Sequence, residues 1–267
     1  MRCSARTVVA ATVLIALAAW PRASAFAQSL AAAPKQDEST TALRASVRVE
    51  AGATQRLITV PATQGKLSFT SNPVPALALQ LTAAVMGTDL FGAVHLGYQT
   101  SVGLVAHESL TLDPSASSVA TRSHRFEAGV TPGLLLGSRA SPAQLGISLN
   151  YVLRAFASVS PLAIPAYTLH GPAVRLELEL PLFGLLSIRL APEVALILGV
   201  TPALRRAAIL TGAAFAIGGE GSLSLRVTQR FAVLLDYRES HSLLQRDGTS
   251  MTDVERYVLA GVNFRYY

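Results

Sequence analysis

Four consecutive residues, Glu239-Ser240-His241-Ser242, hold the side-chain types of a nucleophilic site. In such a site a histidine accepts the serine proton and a carboxylate orients the histidine. Glu239, His241 and Ser242 are therefore the candidate catalytic group, weighed against a plainer reading in which a polar strand end runs into a loop. His107-Glu108-Ser109 carries similar side-chain types at another strand end. His95 lies on the polar face of an alternating stretch and suits a hydrogen-bonded filler better than a ligand. Gly218-Gly219-Glu220-Gly221 opens no helix and lacks the remainder of a nucleotide loop, so its glycines read as points of curvature or close packing. No cluster of His, Asp or Glu has metal-ligand spacing, and the only cysteine is Cys3. Neither a metal nor a cofactor is expected.

The segments that would carry these residues share one rhythm. From Ala76 onward apolar and polar residues alternate with the period of two that a β-strand imposes. Leu77, Leu79, Leu81 and Val85 oppose Gln80 and Thr82, and Leu90, Val94, Leu96, Tyr98 and Val102 oppose His95, Gln99 and Ser101. Phe126, Ala128, Val130, Leu134 and Leu136 oppose Arg125, Glu127 and Thr131, and Leu145 to Leu153 oppose Ser148, Asn150 and Arg154. Later strands repeat the scheme around Leu176, Leu190, Leu223 and Leu235. Leu43 to Ala51 alternates too, whereas Gln55 to Val60 and Lys66 to Thr70 are short and ambiguous. The links alternate in length: His107 to Ser123, Ser160 to Gly171, Thr201 to Thr211 and Ser242 to Asp253 are long. Gly87 to Asp89, Ser138 to Ala143, Phe183 to Leu185 and Thr228 to Arg230 are short.

Register follows from the short links. A three-residue turn at Phe183-Gly184-Leu185 pairs Leu182 with Leu186, which sets Glu179 opposite Arg189 and Arg175 opposite Glu193. A turn at Thr228-Gln229-Arg230 sets Glu220 opposite Arg238. Opposite charges facing across a ladder reinforce its register. Arg175, Glu179, Arg189, Glu193, Glu220 and Arg238 are thus expected to form an ion-paired network on the polar side of the sheet, against the alternative that they are hydrated in a water-filled pore.

Arg2 and Arg6 precede the apolar run Val8 to Trp20, and Ala23-Ser24-Ala25 and Ala25-Phe26-Ala27 are small-residue cleavage patterns. Residues 1–27 read as a cleaved secretory signal peptide. Cys3 leaves with it, so no disulfide or thiolate site is expected. Removing Arg2, Arg6 and Arg22 takes the formal net charge from +6 to +3, and no basic run supports nucleic-acid binding. A mean hydropathy of +0.41 with 14% charged residues is apolar for a soluble chain of this size. No stretch after the signal reads as a membrane helix, which leaves a closed barrel as the way for such a chain to span lipid.

The last stretch, Val254 to Tyr267, places Val258, Ala260, Val262, Phe264 and Tyr266 on one face and Tyr257, Gly261, Asn263 and Arg265 on the other. An alternating strand of membrane length with terminal aromatics resembles the closing strand of a bacterial outer-membrane β-barrel. Tyr267 stands one residue beyond that family's pattern. The resemblance to the general small-barrel family covers Leu77 to Tyr267 and matches no one subfamily. It implies an all-β fold, a closed antiparallel transmembrane β-barrel of about ten strands, eight to twelve being compatible, with short periplasmic turns and longer outside loops. It also implies that Phe264 and Tyr266 carry the insertion signal.

The expected organisation is a signal peptide over 1–27, a polar leader with a possible first strand over 28–62, and an outer-membrane barrel over 63–267. Partners would be outer-membrane lipid and lipopolysaccharide, whose phosphates Arg205-Arg206 could meet, and the outer-membrane assembly machinery, in a Gram-negative cell envelope. Two function classes stand at this point. One is a porin-like structural or interaction barrel, or a very narrow channel, with a charge-filled lumen. The other is a lipid-modifying enzyme at the rim, since Glu239 to Ser242 is similar to the His and Ser of lipid A deacylases and outer-membrane phospholipases, although Leu243, Leu244 and Gln245 depart from the deacylase motif. A soluble periplasmic barrel or sandwich, with the Leu/Val face inward, stays open as a rival fold.

Overall fold

The computed structural model describes residues 42–62, 65–101, 104–110, 113–137, 142–158, 166–182, 184–200, 214–246 and 249–266. Residues 1–27, read from sequence as a signal peptide, lie outside them, as do Arg205-Arg206, Phe183 and Tyr267. The strands in chain order are β1 (Ala42–Ala62), β2 (Gly65–Ser71), β3 (Val74–Met86), β4 (Leu90–Ser101), β5 (Leu104–Leu110), β6 (Asp113–Leu136), β7 (Ala143–Ser158), β8 (Tyr167–Leu182), β9 (Leu186–Leu196), β10 (Gly199–Val200), β11 (Ala214–Arg226), β12 (Phe231–Arg246) and β13 (Thr249–Tyr266).

These make ten wall positions. Pro73, which has no N–H to give a ladder, separates β2 from β3 within one position. β4 continues into β5, and β9 into β10. The ring runs β1, β3, β4, β6, β7, β8, β9, β11, β12 and β13, and β13 returns to β1, every pairing antiparallel. The closing ladder pairs Ala45 with Tyr266 through to Thr59 with Thr252. A closed ring leaves no unpaired edge, which is what lipid demands of a sheet.

Alternation decides which face each side chain takes. Leu77, Leu149, Leu176, Leu190, Leu235 and Val258 all point outward and are exposed, Leu190 by 49%. Inside stand charged residues, hydroxyls and small apolar residues, such as the cluster Val152, Ala173, Ala195 and Ala216. The soluble alternative required the opposite arrangement, with the leucines in a dry interior. On β8 the outward residues from Pro172 to Leu182 span about 33 Å of strand at 3.3 Å per residue. Tilted by about 40°, that is the roughly 25 Å apolar band of a transmembrane barrel.

One end carries short turns and the other long two-stranded ribbons. Gly184, with φ of +73°, supplies the left-handed residue of the β8–β9 turn, and the pairings Leu182–Leu186, Glu179–Arg189 and Arg175–Glu193 follow from it. Glu220 pairs with Arg238. The ribbon end departs from the sequence expectation. Much of the long link His107 to Ser123 is the β5–β6 hairpin, and Ser242 to Asp253 is largely the extension of β12 and β13. Past the lipid both faces meet water, so polar residues occupy strands there and polarity stops marking loops. The possible first strand within residues 28–62 is a wall strand, β1, with Gln55 to Val60 as its outer half, and Lys66 to Thr70 lies in β2.

Candidate functional site

The inward positions of eight strands converge on a network of ion pairs across the barrel. Nearest the turn end, Arg189 donates to Glu177 at 3.0 Å and to Glu220 at 2.9 Å. Arg48 donates to Glu220 at 3.2 Å and also bonds Glu50 and Asp236. Arg238 meets Glu50 at 2.7 Å and Glu220 at 3.2 Å. A middle layer follows. Arg175 joins Glu193 at 2.6 Å to Glu127 at 2.9 Å, Arg125 meets the same two carboxylates at 3.0 and 2.9 Å, and Arg154 reaches Glu193 at 3.3 Å.

Toward the ribbon end, Arg56 donates to Asp253 at 2.6 and 2.9 Å while its guanidinium lies 4.8 Å over the Phe156 ring. The Tyr167 hydroxyl donates to Asp253 at 2.7 Å and the Ser123 hydroxyl to Glu255 at 2.9 Å. Among the described residues seven arginines thus meet eight carboxylates in the interior. Near-balance of charge is the condition under which such groups tolerate removal from water.

Five of the six sequence-derived network residues meet here: Arg175, Arg189, Glu193, Glu220 and Arg238. Glu179 faces inward but lines a cup at the turn end instead. Arg125, Glu127 and Arg154 stand on polar faces in the sequence without partners assigned by a short link, and Arg48, Glu50, Glu177 and Asp236 join them in the structure. Inward parity on each strand was the signal available for all of them, Arg56, Asp253 and Glu255 included.

The cup opens at the turn end and has a volume of about 210 Å³. Its floor is the Arg48 and Arg189 layer, and its wall carries Ser46, Thr82, Ser187, Ser222 and Ser224. Two small voids lie beyond that floor, of about 20 Å³ beside Arg125 and Glu220 and about 10 Å³ beside Arg154.

Of the candidate catalytic residues, Glu239 and His241 are brought together and Ser242 is held apart from them. His241 and Glu239 face outward, with Nε2 of His241 2.7 Å from the Glu239 carboxylate, and Arg256 donates to the same carboxylate at 2.9 Å. Ser242 faces inward, where it accepts a hydrogen bond from Arg154 at 3.2 Å. Neighbours in a strand point to opposite sides of the sheet, so this serine and histidine form no dyad. His95 is buried on the inner face, and Glu220 with its flanking glycines lies within β11. The side chains of His107, Glu108 and Ser109 lie outside the described set. Phe264 and Tyr266 point outward at the turn end, Phe264 against Phe231 with ring centroids 5.2 Å apart and planes tilted by 54°.

A second outward band marks the other edge of the apolar surface. The Tyr98 hydroxyl lies 2.9 Å from His124 Nδ1 and the Tyr151 hydroxyl 2.6 Å from His170 Nδ1. Tyr237 bonds Glu239 beside His241. Tyrosines with an apolar body and a polar tip suit a membrane interface.

No protein-family model matches the chain, and no curated protein does. Solved structures do. The outer membrane protease OmpT from Escherichia coli is similar over 87% of this chain and 99% of its own, at 9% identity and a TM-score of 0.50. The translocator domain of the autotransporter NalP from Neisseria meningitidis aligns over 96% of this chain and 98% of its own, at 14% identity and a TM-score of 0.35.

Proposed function

From a chain with the fold of a bacterial outer-membrane β-barrel, we propose an exported integral protein of the outer membrane whose interior is plugged by charge and whose role is structural or interactive rather than conductive. The turn end then faces the periplasm and the ribbons face outside. Residues 1–27 direct export, the assembly machinery reads Phe264 and Tyr266, and lipopolysaccharide surrounds the outer Tyr–His band.

One observation carries the plugged reading. Ion pairs contributed by eight strands lie between the cup and the outer end. Removing one partner of a buried pair costs about 3–5 kcal/mol, so a solute that displaces several pairs to pass meets a barrier of that kind at each layer. The rim-enzyme reading lacks its dyad, because His241 and Ser242 occupy opposite faces. Purified barrel in a planar bilayer tests the proposal. Wild-type protein should show no stepwise conductance, and the paired neutralisation Arg175→Gln with Glu193→Gln should introduce it. Regular conductance steps from the wild type would overturn the plugged reading.

A further inference from the structure

The cup at the periplasmic mouth is blind, and the polar part of its lining is rich in guanidinium and hydroxyl groups. Four arginines, Arg44, Arg48, Arg189 and Arg265, line it against two carboxylates, Glu177 and Glu179. Arg48 and Arg189 are engaged with the carboxylates of the floor. Arg265 stands on β13 opposite Ser46 of β1, at the mouth. Deeper in, His95 is 8% exposed and its Nε2 has no hydrogen-bond partner. The hydroxyls of Ser46, Thr82, Ser187, Ser222 and Ser224 stand in the wall beside the apolar Met86, Phe91 and Leu234. A cavity of about 210 Å³ is below the roughly 300 Å³ at which pockets for drug-sized ligands begin.

We propose that this cup binds a small oxyanion, the carboxylate or phosphate group of a low-mass periplasmic solute. Guanidinium groups match such oxygens in charge and in geometry, and Arg265 supplies that group at the entrance. The hydroxyl wall satisfies the remaining acceptors, and His95 presents its unpartnered nitrogen from the side. The Arg48 and Arg189 layer closes the path beyond, so the solute enters and leaves by the same mouth. Binding is in this sense a property of the inner face and needs no transport. It rests on the proposed orientation and on the closed path beyond the floor, and the conductance and binding measurements can fail separately.

The test is calorimetric titration of the full barrel, refolded in uncharged detergent at low salt, with inorganic phosphate and with succinate as separate probes. Saturable binding of one equivalent of either is expected, and which of the two binds assigns the group. Arg265→Gln should weaken it about tenfold or more, whereas Arg256→Gln, which removes an arginine from the outer face, should leave it unchanged. Should Arg265→Gln fail to fold, Ser224→Glu places a carboxylate in the wall with every arginine kept, and should weaken binding similarly. Absence of saturable binding for both probes, equal binding by wild type and the cup variants, or an equal loss in Arg256→Gln would overturn the proposal.

Discussion

Glu179 and Arg189 stand opposite each other in the β8–β9 ladder, yet the guanidinium of Arg189 turns away to Glu177 on β8 and to Glu220 on β11. A long side chain reaches the diagonal neighbour two residues along the facing strand as readily as its direct partner, and the diagonal carries it toward the buried layer instead of the mouth. Arg189→Glu should therefore destabilise the barrel by about 3–5 kcal/mol, read as a lower urea midpoint in detergent. Adding Glu177→Arg should recover part of the loss, and adding Glu179→Arg should recover little. Equal rescue by both would show that the direct ladder pair governs.

The outer surface makes a contrasting prediction. Leu176 lies midway along the apolar outward run of β8 and is 47% exposed. Leu176→Arg should cost about 2–4 kcal/mol in a bilayer, as expected for a cation at the midplane. Folding titrations in lipid vesicles and in detergent measure it, and the penalty should be the larger in the bilayer. An unchanged midpoint in vesicles would contradict a lipid-facing Leu176.

At the seam, Gly261 on β13 has no room for a side chain: a Cβ there would stand 2.2 Å from the Val49 carbonyl oxygen and 2.7 Å from Glu50 Cγ. Backbone cannot move aside without opening the ladder. Gly261→Ala should cost about 1–3 kcal/mol, the usual range for an overpacked site. Loss of the heat-dependent mobility shift at a lower temperature on a denaturing gel reports it.

Phe264 and Tyr266 present their rings outward at the turn end, the position the proposed insertion signal requires. Deleting Tyr266 and Tyr267 should lower the amount of barrel recovered from outer membranes by several-fold while leaving export intact, as followed by immunoblot of membrane and periplasmic fractions. Unchanged recovery would remove the signal role from this strand.

The rhythm of two was enough to read the wall, its faces and the registers around Gly184 and Glu220, because each depends on residues close in sequence. What lay beyond reach depends on closure. Arg48 meets Asp236 and Arg56 meets Asp253 only once strand number and stagger bring β1 against β12 and β13, and no local pattern contains those quantities. The outer halves of β1, β6 and β12 were obscured for another reason. Beyond the lipid neither face is apolar, so the alternation that identifies a strand fades while its hydrogen bonds continue.

The seam between β1 and β13 also orders events in time. Its ladder joins Ala45 to Tyr266, residues almost as distant in the chain as the barrel allows, and contacts of such separation are slow to form. Until they form, Arg48, Glu50 and Arg56 on β1 wait without Asp236, Arg238 and Asp253, their partners on the last two strands. An intermediate open at that place would expose both an unpaired strand edge and isolated charges to lipid. Reopening therefore meets two costs at once, so the completed ring should persist long after the conditions that assembled it have gone.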